Sequence, residues 1–98
     1  MSNKKILVEK IEKDIELAQS KLTDFKAQMK SGTAAVRAEN DERIHVLQQR
    51  IEEAKTRLLE LSRLHESVPE QIIDGVEDAW SALQDSLRDA VSTFEGHH

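Results

Sequence analysis

The segment RIHVLQQRIEEAKTRLLEL, residues 43–61, decides the fold because its apolar residues recur at alternating intervals of three and four. This spacing places them on one narrow stripe of an α-helix, and two such positions in every seven are typical of a coiled coil. Between them stand mostly Glu, Gln, Lys and Arg, which favour helix. The stripe, called seam 2 below, consists of Ile44, Leu47, Ile51, Ala54, Leu58 and Leu61.

Two further stretches show the same spacing, one on each side of seam 2. Seam 1 consists of Val8, Ile11, Ile15, Ala18, Leu22, Phe25 and Met29. Seam 3 consists of Ile73, Val76, Trp80, Leu83, Leu87, Ala90 and Phe94. Because Ile72, Ala79 and Val91 flank seam 3, that helix has a wider apolar face and can contact two neighbours at once. We therefore predict one helical domain, residues 1–98, with segments at about 3–30, 34–65 and 68–95.

A chain reversal is predicted at Ser67-Val-Pro-Glu70. Serine is a preferred N-cap, proline fits the first turn, and a glutamate three residues after the serine completes a capping box. Pro69 also disfavours helical geometry at Val68, so the preceding helix should end near His65.

The stretch Ser31-Gly32-Thr33 allows two interpretations. Gly32 could end one helix in a left-handed conformation while Thr33 caps the next, which would make a turn. Alternatively, one helix continues through Gly32 with a locally underwound seam, at a cost of about 1 kcal/mol for the glycine. We favour the continuous helix as the working prediction.

The predicted fold is all-α: an antiparallel coiled coil with the cross-section of a three-helix bundle, built from a long helix and a shorter C-terminal helix. A continuous first helix would measure roughly 90 Å, and the last helix, roughly 40 Å, would cover only half of it. Most of seam 1 would then stay exposed. An antiparallel second chain would cover it, so we expect a homodimer with Trp80 buried where segments meet; another helical protein is the alternative partner. The residues left exposed would be Val8, Ile11, Ile15, Leu22 and Phe25.

Composition argues against several classes of protein. The net charge of −5 disfavours binding to nucleic acid and to anionic membranes, which require a basic surface. No cysteine is present, so disulfides and thiolate chemistry are excluded. The N-terminal stretch has only three consecutive apolar residues, whereas a signal peptide needs about seven or more, so a cytoplasmic location is expected. The charge is unevenly distributed, because residues 67–98 contain one basic residue, Arg88, and seven acidic residues.

Catalytic and metal-binding motifs are weak. Glu42 and His45 have the Glu-x-x-His spacing of di-iron bundles, but no second copy exists, and we predict no metal binding there. No phosphate-binding loop, catalytic triad or carboxylate pair in a cleft is indicated. We therefore expect no enzyme and no cofactor.

A few single residues allow two interpretations. Trp80 could anchor a ligand or partner, although its seam position favours a core or interface residue. His65 could be pH-sensitive, but a contact with the helix end is the simpler interpretation. Asn40 could fix register as a buried polar residue or could face water. His97 and His98 are consistent with a tail or a purification tag.

The segment 43–61, followed by Gly75-Val-Glu-Asp-Ala-Trp-Ser-Ala-Leu83, resembles a family of short bacterial coiled-coil proteins often labelled stress-response. Members have a long charged helix and then a short one with a G-V-x-x-A-W-x-x-L signature. The resemblance covers about the last two-thirds of the chain, and many members have an earlier tryptophan where this chain has Pro69 and Ile72. It implies a bacterial cytoplasmic helical protein and supplies no activity and no site residues.

The function predicted from the sequence is that of a non-enzymatic structural or interaction protein. It would self-associate through its apolar seams, and the resemblance adds a stress-related role. The alternative is an amphipathic binder of lipid or storage-granule surfaces, similar to the phasins, for which Trp80 and Phe94 would supply apolar contacts.

Overall fold

Three helices account for most of the residues that the computed structural model describes, which are 3–29, 32–64 and 68–95. They are α1 (Asn3–Gln28), α2 (Ala34–Ser62) and α3 (Glu70–Glu95). Each helix packs against the other two, and together they form a bundle of 52 × 19 × 19 Å. The predicted all-α fold with a three-helix cross-section is confirmed.

The chain reverses at Gly32, so the predicted continuous helix is wrong. Gly32 has a φ of +117°, a backbone conformation that residues with a Cβ rarely adopt. Thr33 is the N-cap of α2: its backbone is extended, and its hydroxyl accepts a hydrogen bond from the Val36 N–H at 3.3 Å. The glycine and the cap together favour a turn, and the turn lets α2 fold back along α1. Lys30 and Ser31 lie outside the described residues.

The second reversal joins α2 to α3. α2 ends at Ser62, three residues before the predicted end, and the Arg63 N–H bonds the Leu59 carbonyl at 3.2 Å. The Pro69 carbonyl accepts hydrogen bonds from the Ile72 and Ile73 N–H groups at 3.0 and 3.3 Å, so Pro69 immediately precedes α3. The proposed cap at Ser67 and the role of His65 fall on residues that are not described.

Contacts at the two ends of the bundle establish that α1 and α3 run parallel to each other and antiparallel to α2. At one end the Lys4 ammonium donates a hydrogen bond to the Leu64 carbonyl, just after α2. At the other end the rings of Phe25 and Phe94 stack with centroids 4.7 Å apart. Successive helices are therefore antiparallel, as expected for short connections.

The three seams meet in one core. Seven seam residues are half-buried against this core: Val8, Leu22, Met29, Leu58, Ile73, Trp80 and Leu87. Its buried members from the seams are Ile11, Ile15, Ala18, Phe25, Ile44, Leu47, Ile51, Ala54, Leu61, Val76, Leu83, Ala90 and Phe94.

Seam 1 is covered within its own chain, so the expectation that an antiparallel second chain must cover it is wrong. Val8, Ile11, Ile15, Leu22 and Phe25 were expected to stay exposed beyond the reach of the last helix. In the structure they pack in the core of their own chain because α2 turns back at Gly32. A second chain is not needed to cover them.

The wide apolar face predicted for the last helix is present in α3. Ala79 is buried, Ile72 and Val91 are half-buried against the core, and α3 contacts both α1 and α2. The small buried side chains of Ala18, Ala54 and Ala90 allow the helices to approach closely.

Candidate interaction surface

An open groove lies between α1 and α3 near the start of both helices and has a volume of about 490 Å³. Ile6 stands at its edge with 45% of its surface exposed. Trp80, the single tryptophan of the chain, is half-buried in its wall. The residues that define this α1–α3 groove are Lys4, Ile6, Leu7, Lys10, Ile73, Glu77 and Trp80.

Trp80 is held at the groove by a carboxylate of α1. Its indole Nε1–H donates a hydrogen bond to Asp14 Oδ2 at 2.6 Å, and the Gln84 amide donates to the same oxygen at 3.3 Å. A tryptophan with one end in the core needs an acceptor for its N–H, and Asp14 supplies it. These two bonds fix how α1 and α3 lie beside each other.

Replacing Trp80 by phenylalanine is expected to lower the free energy of unfolding by about 1–2 kcal/mol, because the half-buried carboxylate of Asp14 loses a strong donor. Chemical denaturation followed by circular dichroism measures this. Gln84→Ala is the control; it removes the longer bond from an exposed amide and should change stability by less than about 0.5 kcal/mol. A Trp80→Phe protein as stable as the wild type would show that the bond contributes nothing.

A second exposed apolar side chain lies farther along α1, separated from Ile6 by lysines. Leu17 has 49% of its surface exposed and stands eleven residues after Ile6, which is three helical turns, so both side chains lie on the same face. Lys10 and Lys13 lie between them. Neither lysine makes an ion pair within the described part of the chain. Farther along, Lys21 pairs with Glu95 of α3 at 2.7 Å.

Two grooves on the other sides of the bundle have a larger share of charged or polar side chains in their walls. The one between α2 and α3 contains the ion pair Arg43–Asp89, at 3.6 Å, and is walled by Glu39 and Glu42. The one between α1 and α2 is lined by three apolar residues, Ile15, Leu58 and the exposed Leu59, and by four charged or polar ones, Glu12, Glu16, Lys55 and Ser62. The α1–α3 groove is therefore the candidate with an aromatic wall and an exposed isoleucine.

Glu42 and His45, the Glu-x-x-His pair of the sequence, are both exposed on α2. They line different grooves: Glu42 faces Ser86 and Asp89 of α3, whereas His45 lies toward Met29 at the end of α1. Among the described residues no group of three or more His, Asp or Glu side chains could hold a metal ion.

Asn40 is half-buried, and no polar or charged side chain in the described ranges is buried. The buried-register interpretation of Asn40 therefore does not apply. Trp80 has the seam position that the sequence predicts, but its N–H faces Asp14 rather than a wholly apolar core. His97 and His98 belong to the undescribed end of the chain.

Sequence reasoning missed Asp14 and the groove edge at Ile6. Asp14 stands directly before the seam residue Ile15, a position that flanks a coiled-coil seam and reaches the neighbouring helix. The need of a lone seam tryptophan for an acceptor was a usable signal for it. Ile6 lies outside the seam spacing, so the periodic pattern could not assign it a role.

Comparisons of the chain with protein-family models, with curated proteins and with solved structures found no match. The family resemblance of the sequence therefore stays a prediction. Over the described residues, no helix has both the length and the apolar character that crossing a membrane requires.

Proposed function

We propose that this chain is a non-enzymatic interaction protein that self-associates, and that the α1–α3 groove and the adjoining face of α1 are its contact surface. The observation that carries the proposal is the pair of large apolar side chains, Ile6 and Leu17, exposed on one face of α1 beside a half-buried tryptophan. Association would remove this surface from water, at about 25 cal/mol per Å² of apolar area buried.

The seams themselves are not the association surface in this proposal, which differs from the sequence prediction. Their residues already fill the core of a single chain. What remains for a partner is the edge of the bundle where α1 and α3 leave a groove. An aromatic residue in the wall of an open groove is a frequent anchor at protein interfaces.

Ile6→Glu combined with Leu17→Glu is expected to abolish self-association. Burying two glutamates in an apolar contact would raise the dissociation constant at least about a hundredfold. Sedimentation equilibrium at several protein concentrations measures it, and circular dichroism checks that the exposed substitutions leave the helices intact. The matched control is Leu59→Glu, an equally exposed leucine on α2, 51% accessible, which should leave the dissociation constant unchanged.

Wild-type protein with the mass of one chain across the micromolar range would contradict the proposal. So would equal weakening by the double variant and by the Leu59 control, because that would place the contact elsewhere.

The alternative of a lipid or storage-granule binder has less support from the surface. Lys10, Lys13 and Glu77 interrupt the apolar positions, whereas a helix lying on a lipid surface presents a continuous apolar face. Co-sedimentation with neutral vesicles or isolated granules distinguishes the two functions. Binding there that disappears in Ile6→Glu/Leu17→Glu would replace self-association with this alternative.

The family resemblance supports a narrower form of the proposal, in which the chain is a bacterial cytoplasmic protein with a role under stress. Cell fractionation tests the location. Growth of a deletion strain under heat, oxidative and starvation stress tests the role, and growth equal to that of the parent strain under all three would contradict it.

A further inference from the structure

The two edges of the α1–α3 groove carry opposite charges. Lys10 lines the groove from α1 and Glu77 lines it from α3. Lys10 stands four residues before Asp14 and Glu77 three residues before Trp80, and because Asp14 and Trp80 are bonded, the two side chains lie at about the same height along the bundle. Lys13 follows one turn later on α1. At the far end the same polarity recurs in the Lys21–Glu95 pair. The lysines stand on α1 and the glutamates on α3.

A second copy could face this groove in two symmetric ways, and the charges distinguish them. If the twofold axis runs along the helices, α1 of one chain lies opposite α3 of the other and runs parallel to it. If the axis runs across the helices, α1 lies opposite α1 and α3 opposite α3, antiparallel. The first arrangement sets lysines against glutamates, and the second sets like charges against each other, which opposes association.

We infer that the self-association surface pairs two copies about a twofold axis parallel to the bundle, with Lys10 and Lys13 of each chain facing Glu77 of the other. Ile6 and Leu17 share the face of α1 with these lysines, so the same contact covers them. This inference rests on the proposed function and adds to it the orientation of the partner. Within the described residues Glu77 makes no ion pair in its own chain, so it is available to a partner.

Charge reversal tests the orientation. Lys10→Glu and, separately, Glu77→Lys should each weaken the dimer about tenfold, because each creates two like-charged contacts where exposed ion pairs contribute about 0.2–1 kcal/mol apiece. A mixture of the two variants should form a heterodimer of wild-type affinity, since both edges are then complementary. A chain that carries both substitutions should also dimerise with wild-type affinity, because its two edges are again complementary. Sedimentation equilibrium at low salt measures the dissociation constant of the two single variants, of their mixture and of the double variant.

Lys26→Glu is the matched control, because this exposed lysine of α1 faces the α2 side, where it lines a groove with Asp41. It should leave the dissociation constant unchanged. Spin labels at Ala35→Cys, an exposed site near one end of the 52 Å bundle, give a second readout. In the inferred dimer the distance between the two labels should be no more than about the width of two bundles.

The outcomes separate the inference from the proposed function. A dimer that Lys10→Glu leaves unchanged or strengthens, or whose labels lie a bundle length apart, would overturn the parallel arrangement while self-association stands. A wild-type protein that remains a single chain would remove both. Weakening by each single variant with recovery in the mixture supports the parallel arrangement.

Discussion

Replacing Phe25 by alanine is expected to lower the free energy of unfolding by about 3–5 kcal/mol. Phe25 is fully buried, and its ring stacks on that of Phe94 at 4.7 Å. The substitution removes this stacking and leaves a cavity where the end of α1 meets the end of α3. For a chain of this size the loss is a large part of a total stability of about 5–15 kcal/mol.

Thermal and urea denaturation measure the effect of Phe25→Ala. Each kcal/mol corresponds to about 4–8 °C in the melting temperature of a small domain, so the transition should fall by more than about 12 °C. Leu59→Ala provides the comparison, because this exposed side chain should change stability by less than about 1 kcal/mol. Equal effects of the two substitutions would show that Phe25 is not in the core.

Replacing Gly32 by alanine is expected to destabilise the bundle by about 1–3 kcal/mol. A Cβ at this position would meet only Val36, at an ordinary contact distance of 3.9 Å, so space is not the obstacle. The obstacle is the φ of +117°, which strains any residue that has a Cβ.

Gly75 provides the matched comparison with the opposite sign. It lies inside α3, and a Cβ there would meet nothing within 4 Å. Gly75→Ala should therefore raise the free energy of unfolding by about 0.5–1 kcal/mol, since alanine is the better helix former. Urea denaturation of both variants measures the two effects. A Gly32→Ala protein as stable as the wild type would contradict the positive φ described for Gly32, whereas a loss of stability in Gly75→Ala would contradict the open helical site described for Gly75.

The periodic seams predicted the helices and the core well, because burial in a bundle requires only an apolar residue at each third or fourth position. The sequence did not decide the turn at Gly32. A glycine inside a helix and a glycine ending one differ by little in local free energy, and the choice depends on the contacts that α2 makes when it folds back. The fold-back also brings together residues that are far apart in the chain, such as Phe25 of α1 and Phe94 of α3.

The candidate surface was less predictable than the core. Trp80 was identified from its seam position, but its bond to Asp14 depends on which two helices become neighbours and in which direction they run. Ile6 and Leu17 are exposed because they lie outside seam 1, but the position of the groove beside Ile6 depends on how α3 is placed next to α1. A pattern along one helix carries no information about the edge that its neighbour leaves uncovered.

The turn at Gly32 also determines whether the bundle closes within one chain or between two. If that turn straightened, α1 would extend away from its own α2 and could occupy the same place on a second chain, with every core contact kept. This is domain exchange, and hinge substitutions that strain a tight turn favour it. At millimolar concentration Gly32→Ala should accumulate an exchanged dimer that separates slowly on dilution, and a purely monomeric variant would show that the turn is not such a hinge.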